Sequence, residues 1–199
     1  MVQNPYQNAL LPAPVGGGYS DPDYWIWCGS VVQGEDGAYH MFASRWPKDL
    51  GFGANWLFNC EIVRASSKNP EGPYTFQEVV LGRRGRTFFD GMNVHNPYIR
   101  KWNQTYYLYY MGTTFGGPIP GPGDEVDSSR FTEVWNRKRI GLATAPSVFG
   151  PWTRCDEPLI SPRDCSHWDC TATTNPAVAI QPDGTTYMLY KSRSFADGP

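Results

Sequence analysis

The stretch HNPYIRKWNQTYYLYY, residues 95–110, has the pattern of two short strands joined by a tight turn. Asn96-Pro97-Tyr98-Ile99 supplies the first strand, Asn103-Gln104 supplies the turn, and the aromatic run at residues 106–110 supplies the second strand. Aromatic and β-branched residues favour strands, whereas Asn, Gly and Pro favour turns. The stretch therefore predicts a β-hairpin.

Two further segments repeat this order of features. Residues 29–44 and 175–192 each contain an apolar strand, an Asp-Gly turn and an aromatic second strand. A second unit, at residues 61–81 and again at 139–160, contains a strand, a Gly-Pro turn and an outer strand. Four-stranded units that recur at this period are typical of the blades of a β-propeller.

The spacing of the hairpins supports one blade per repeat. Gly29 precedes Asn96 by 67 residues, and Asn96 precedes Asn175 by 79. The extra length of the second repeat lies at residues 115–138, where the sequence predicts an insertion with one short helical turn at residues 128–135.

The predicted fold class is all-β, a propeller with blades of four antiparallel strands, of the five-bladed type and incomplete in this chain. The predicted boundaries are an irregular lead-in at 1–18 and a propeller at 19–199, with blade one at about 19–81, blade two at about 90–160, and blade three beginning at about 169. Propellers close with four to eight blades, and this chain holds about two and a half. We therefore expect either a fragment whose missing C-terminal blades complete the ring, or self-association that does so.

Composition and charge exclude some classes of partner. Lys and Arg number 17 against 19 Asp and Glu, and no basic run occurs, which argues against nucleic-acid binding. No apolar run is long enough to span a bilayer, so no membrane partner is predicted. No signal peptide is visible, which leaves the compartment open: secreted or periplasmic if a leader was removed, cytoplasmic otherwise. Cys165 and Cys170 could pair in a secreted protein.

Three aspartates recur at one offset, six residues before each hairpin; they are Asp23, Asp90 and Asp169. We expect them to approach one funnel mouth, where glycoside hydrolysis would need a proton donor and a base or nucleophile. The alternative for each is a turn-capping role. His95 directly precedes its hairpin and is a further catalytic candidate, as a general acid at neutral pH, or a structural histidine.

Aromatic, amide and basic residues near these positions are the candidate sugar contacts. Trp25 and Trp27 alternate along an extended segment and share one face, either a sugar platform or a packing face. Arg45 and Lys191 end second strands and could hold a hydroxyl or carboxylate, or form surface ion pairs. The full substrate-binding set is Trp25, Trp27, Arg45, Asn96, Asn175 and Lys191. The histidines lack metal-ligand spacing, no ligand motif supports a structural calcium, and no cofactor is predicted.

The order of these motifs resembles that of proteins related to glycoside hydrolase families 43 and 117. The resemblance covers the chain from about Tyr19 and rests on these segments: residues 21–47, Glu61 to Ala65, Gly72-Pro73, Asp90-Gly91, His95-Asn96-Pro97, Arg139 to Ala143, Gly150-Pro151-Trp152 and Asn175-Pro176. It implies a five-bladed propeller with a funnel active site that hydrolyses plant or algal oligo- or polysaccharide.

The resemblance also implies roles for the candidate acids. Asp23 or Asp21 is the closest match to the general base of the first blade, although Gly29-Ser30 replaces the usual Asp-Pro of that strand. Asp90 and Asp169 are candidates for a second aspartate that tunes the pKa and orients substrate. The acid, a Glu or a His, often comes from a later blade, beyond Pro199.

Three functions are therefore open. The first is a glycoside hydrolase with carbohydrate as its substrate. The second is a carbohydrate-binding or scaffold propeller without catalysis, because one fold serves both. A phosphorylase of a related propeller fold is a weaker third, since the sequence shows no convincing basic cluster for phosphate.

Overall fold

A computed structural model describes Ala9 and residues 11–194 of the chain. Residues 1–8 and 10 of the predicted lead-in, and residues 195–199 of the predicted third blade, lie outside the described residues. Residues 11–20 contain no helix or strand.

Ten strands form three antiparallel sheets, each ordered as it runs along the chain. The first sheet contains β1 (Tyr24–Gln33), β2 (Tyr39–Pro47), β3 (Glu61–Ser67) and β4 (Thr75–Leu81). The second contains β5 (Asn93–Trp102), β6 (Thr105–Thr113), β7 (Arg139–Ala145) and β8 (Thr153–Arg154). The third contains β9 (Ala172–Ile180) and β10 (Thr186–Arg193). The prediction of four-stranded antiparallel blades is confirmed.

The first strand of each sheet lies at the centre of the arrangement. β1 packs against β5, and β5 packs against β9. Between the first two sheets lies an apolar core that includes Phe42, Ile62, Ile99 and Leu108, all fully buried. Each such side chain contributes about 1.5–3 kcal/mol when it leaves water, so this core holds neighbouring blades face to face.

A bulge interrupts each central strand at one residue with a positive φ. These residues are Cys28 (φ 53°), Asn96 (φ 51°) and Asn175 (φ 53°), and the strand register shifts at all three. The sequence repeat matched Gly29 to Asn96, and this match is wrong by one residue, because Cys28 is the residue of β1 that corresponds to Asn96. Asp23 precedes its own bulge by five residues, not by the six found in the later sheets.

Two insertions pack on each other above the central strands. Helix α1 (Ser128–Asn136) lies between β6 and β7, longer than the predicted turn, and its N-cap Asp127 accepts a hydrogen bond of 2.9 Å from the Arg130 backbone N–H. It packs against the 3-10 helix Ala54–Leu57, which lies between β2 and β3. The apolar cluster between them includes Leu57, Phe58, Phe115 and Val134.

The cysteines and the helices add two observations. All five cysteines are free, so the considered pairing of Cys165 with Cys170 is absent. Within the described residues, no helix combines the length and apolarity needed to cross a bilayer.

Candidate functional site

A cavity of about 300 Å³ lies where the three sheets meet the two insertions. Its aromatic wall consists of Trp27, Trp46, Phe52, Trp56 and Trp135. Its polar lining consists of His95, Asn96, Lys138, Asn175 and Lys191. All three sheets, the segments between β2 and β3, and helix α1 thus contribute side chains to one site.

The aromatic wall is built around Phe52. Its ring centroid lies 5.7 Å from that of Trp27 and 5.4 Å from that of Trp46. On the other side, Trp56 lies 5.3 Å from the His95 ring and 6.0 Å from Phe131 of α1. The rings support one another at tilted and edge-on angles, which fixes a rigid apolar surface at little cost in conformational entropy.

His95 is buried in this wall without a hydrogen-bond partner. Its residue is 3% exposed, and neither Nδ1 nor Nε2 has a partner among the described residues. Burial lowers the pKa of His95 to about 3; the neighbouring Asn96 side chain partly opposes this, and the charge of Lys138 adds a smaller lowering effect. The lowered pKa favours a neutral ring at physiological pH, which does not fit the predicted role of a protonated general acid. The neutral ring offers one donor and one acceptor to a ligand instead.

Asn96 and Asn175 occupy the bulges of β5 and β9, at equivalent positions. Asparagine tolerates the left-handed backbone that each bulge requires. The Asn96 backbone N–H donates to Ser44 Oγ at 3.0 Å, while its side-chain Oδ1 is buried without a partner. The bulges thus direct two amide groups from neighbouring blades to the cavity.

Lys138 lies between α1 and β7 and is also buried, at 3% exposure. Its backbone carbonyl accepts a hydrogen bond of 3.1 Å from the Thr173 N–H, which ties the end of the insertion to β9. Its Nζ lies 3.3 Å from the ring centroid of Trp135 and 5.6 Å from that of Trp56. Burial, together with the charges of Lys191 and Arg193, lowers the pKa of Lys138 to about 6.

The cations around the cavity lack acidic partners. Arg193 stacks on the ring of Trp135, with its guanidinium carbon 4.0 Å from the ring centroid. It also donates a hydrogen bond of 2.9 Å to Asn136 Oδ1. No ion pair of the described residues includes Lys138, Lys191 or Arg193. No described Asp or Glu lines the cavity.

Asp90 lies outside the cavity and is built into the second blade. Its carboxylate is fully buried and accepts hydrogen bonds from Arg84 Nε at 2.7 Å, Tyr110 Oη at 2.7 Å and Arg154 Nη1 at 3.3 Å. These contacts join the segment before β5 to β6 and β8. The carboxylate therefore stabilises the blade and does not face the cavity.

Asp169 repeats this arrangement in the third sheet. It accepts hydrogen bonds from Arg163 Nε at 2.7 Å and Tyr190 Oη at 2.6 Å. Burial alone would raise its pKa, but the bonds from Tyr190 and Arg163 outweigh burial, so the pKa of Asp169 is lowered. The repeated aspartate thus marks a structural element of the blade.

Asp23 differs from both, because it is exposed. Its backbone N–H donates to Asp21 Oδ1 at 2.9 Å, and its carbonyl accepts from the Lys48 N–H at 2.9 Å. It lines a separate surface depression beside Pro47. The expectation that the three aspartates converge on one funnel mouth is therefore wrong for this part of the chain.

Two of the predicted sugar contacts also lie outside the cavity lining. Arg45 Nε donates to Glu61 Oε1 at 2.8 Å, and its guanidinium stacks between the rings of Tyr24 and Phe76 at 4.1 and 4.3 Å. Trp25 packs edge-on against Phe52, with ring centroids 5.3 Å apart. The structure places the other four predicted contacts in the cavity: Trp27, Asn96, Asn175 and Lys191.

The sequence analysis missed half of the lining. Trp46, Phe52, Trp56, Trp135 and Lys138 were not in the predicted set. All of them except Trp46 lie in the segments inserted between strands, and an aromatic-rich insertion in a blade is a signal that would have drawn attention to them. Among the described residues, no group of three His, Cys, Asp or Glu is placed to hold a metal ion.

Comparisons with solved structures agree on the fold, whereas comparisons of the sequence alone find no match. No protein-family model and no curated protein matches the sequence. A family 117 glycoside hydrolase from the marine bacterium Zobellia galactanivorans matches with a TM-score of 0.64 at 21% identity, over 86% of this chain and 49% of that one.

Two family 43 enzymes match as well. A β-xylosidase/α-arabinofuranosidase from a compost microbial metagenome, in complex with xylotriose, has a TM-score of 0.53 at 20% identity over 84% of this chain and 42% of its own. A Xanthomonas citri enzyme, also with xylotriose, has a TM-score of 0.53 at 18% identity over 85% and 40%. The chain thus spans about half or less of the structures it matches. It shares the β-propeller fold of glycoside hydrolases of families 117 and 43.

Proposed function

We propose that the chain forms part of the sugar-binding funnel of a propeller glycoside hydrolase that acts on plant or algal oligo- or polysaccharide. The observation that carries the proposal is the central cavity, in which an aromatic wall surrounds buried polar atoms of His95 and Asn96 that have no partner among the described residues. Buried polar groups without partners are rare in native proteins, so these atoms are available to hydrogen-bond a ligand or the ordered water that a ligand would displace.

The chemistry of the cavity suits a sugar ring. The apolar face of a pyranose can lie on an aromatic ring such as that of Trp27, a residue that is 48% exposed to solvent. The neutral imidazole of His95 and the amides of Asn96 and Asn175 can both donate to and accept from hydroxyl groups. Aromatic walls with a few convergent polar groups are the usual composition of small-molecule sites.

Hydrolysis requires a pair of carboxyl groups on either side of the scissile bond. No described Asp or Glu lines the cavity, so the proposal requires acids from beyond its present lining, with the exposed Asp23 as the candidate base. The same observation favours a second candidate function, carbohydrate binding without hydrolysis.

Two measurements on the purified protein separate these functions. Titration of tryptophan fluorescence with plant and algal oligosaccharides measures binding, and release of reducing sugar from the same panel measures hydrolysis. Trp27→Ala should weaken sugar binding at least about tenfold, because a stacking surface is lost.

Trp168→Ala is the matched control, since Trp168 is exposed to a similar extent, at 53%, and lies outside the cavity. Binding with release of sugar supports the hydrolase, and binding without release supports the second function. No binding by any sugar, or equal losses in both variants, would refute the proposed sugar site.

A further inference from the structure

We infer that the cavity selects sugars that carry an anionic group, a carboxylate or a sulfate ester, and that Lys138 is the residue that binds this group. This inference rests on the proposed sugar-binding function and specifies its substrate class. It follows from the charges that line the cavity, from their lack of partners and from the shape of the site.

The first observation is that Lys138 is a buried amine without an acidic partner among the described residues. Its Nζ lies over the rings of Trp135 and Trp56, and no ion pair of the described residues includes it. Burying an ammonium group is costly unless the group is paired with an anion. A cation–π contact shielded from water offsets about 2 kcal/mol of this cost. The Nζ atom can donate three hydrogen bonds, and no described residue accepts one.

The second observation is that the neighbouring charges are also positive. Lys191 of β10 lines the same cavity, and Arg193, two residues further along the strand, stacks on Trp135. With no described carboxylate in the lining, these three groups give the site a positive potential. An anion placed near Lys138 would lower the electrostatic energy of all three at once.

The third observation is the size and composition of the cavity. A volume of about 300 Å³ lies at the lower end of the range for small-molecule sites, far more than a free ion needs. Trp56 and Trp135 stand beside Lys138, and the half-exposed Trp27 of the same lining provides a face for a sugar ring. The neutral His95 and the Asn96 amide lie in the same lining for the hydroxyl groups. The site therefore fits an anionic group attached to a sugar better than inorganic phosphate or sulfate.

The lowered pKa of Lys138 agrees with this view. Burial and the charges of Lys191 and Arg193 make protonation unfavourable in the empty site. A bound anion would reverse this effect, because an opposite charge within about 4–6 Å favours the protonated amine. Proton uptake on binding is therefore expected.

The test uses matched pairs of oligosaccharides that differ only in charge. One pair is an oligogalacturonide and its methyl ester, and the other is a sulfated galactan oligosaccharide and its desulfated form. Affinities are measured by titration calorimetry at pH 6 on the purified protein, with inorganic phosphate as a separate ligand. The charged member of at least one pair should bind at least about tenfold more tightly than its neutral partner.

Variants assign the effect to the residue. Lys138→Met keeps the length and apolar contacts of the side chain and should abolish most of the preference for the charged sugar over its neutral partner. Lys191→Met, at an exposed position that a substitution should not unfold, should reduce the same preference by a smaller factor. Lys68→Met, an exposed lysine of the first blade outside the cavity, should change neither affinity.

Each outcome is decisive. The pair in which the charged sugar binds more tightly than its neutral partner identifies the anion as carboxylate or sulfate. Equal affinities within both pairs, a preference that survives in the Lys138 and Lys191 variants, or binding of inorganic phosphate with no charged sugar bound, would overturn the inference while leaving a neutral-sugar site intact. Failure of every sugar to bind would refute the proposed function as well.

Discussion

Asp90 and Lys138 are both buried ionisable groups, but their surroundings are opposite. Asp90 lies at the base of the second blade and is bound by Arg84, Arg154 and Tyr110. Lys138 lies in the central cavity, over the ring of Trp135 and near the cations Lys191 and Arg193. The paired charge fastens strands together, whereas the unpaired one raises the energy of the empty site. The difference teaches that buried charge alone does not mark function; its lack of partners does.

The largest effect is expected on stability, from removal of the negative charge of Asp90. Asp90→Asn leaves Arg84 and Arg154 without their buried counter-ion and should lower the free energy of unfolding by about 3–5 kcal/mol. Urea denaturation measures it. Asp156→Asn is the control, because Asp156 also pairs with Arg84, at 2.6 Å, but its side chain is 70% exposed. It should cost less than about 1 kcal/mol. Equal costs for the two variants would contradict the structural role of Asp90.

The next effect concerns the pH dependence of acidic-sugar binding. Because the pKa of Lys138 is about 6 in the empty cavity, the lysine must take up a proton when an anion binds above this pH. Affinity should therefore fall as the pH rises from 6 to 8, by up to about tenfold per pH unit. The charges that act on Lys138 are Lys191 and Arg193, and His95, with a pKa of about 3, stays neutral in this window.

Titration calorimetry in buffers of different ionisation enthalpy measures both the affinity and the proton uptake. The uncharged methyl ester should bind with no such pH dependence. An affinity for the acidic sugar that is constant from pH 6 to 8 would show that Lys138 does not meet the anion.

A smaller effect is expected on stability. An unfolded lysine titrates near pH 10.4, far above Lys138 in the folded protein, so between pH 6 and 10 the unfolded chain binds more protons. Stability should therefore rise with pH over this window because of Lys138. Lys138→Met removes the penalty and should raise Tm by a few degrees at pH 6, with a gap that closes toward pH 10.

Thermal unfolding at pH 6, 8 and 10 measures the gap, with Lys68→Met as the control of unchanged Tm. A variant that is more stable and yet has lost acidic-sugar binding separates function from folding. A lower Tm at pH 6 would mean that Lys138 stabilises the fold.

The smallest effect on binding is expected at the exposed aspartate. Asp23→Asn changes a side chain outside the cavity and should leave sugar affinity within about twofold, since surface changes away from a site rarely exceed 0.5 kcal/mol. Fluorescence titration checks it. If the variant binds normally but loses reducing-sugar release, Asp23 is the proposed base. A large loss of affinity would place Asp23 in the binding site.

The sequence predicts the blades well because their signals are local. Alternating apolar residues and Asp-Gly or Asn-Gln turns specify each hairpin, and their repetition reveals the propeller. The same repetition brought Asn96 and Asn175 to the cavity, since equivalent positions of neighbouring blades face a common centre. The repetition gave a wrong prediction for Asp90 and Asp169, because a residue can recur in each blade to stabilise the blade and not to take part in catalysis.

The sequence by itself thus determined the strands, the hairpins and the propeller, together with the cavity residues that lie on the central strands and their hairpin partners, except Trp46. Only the tertiary structure decided the one-residue offset at Cys28, which depends on where the bulge falls. It also decided the position of Trp135 and Lys138, because α1 reaches the cavity through packing against a 3-10 helix far away in the sequence. The shifted pKa values of His95 and Lys138 arise from the burial that this packing creates, and no local pattern of residues encodes burial by a distant segment.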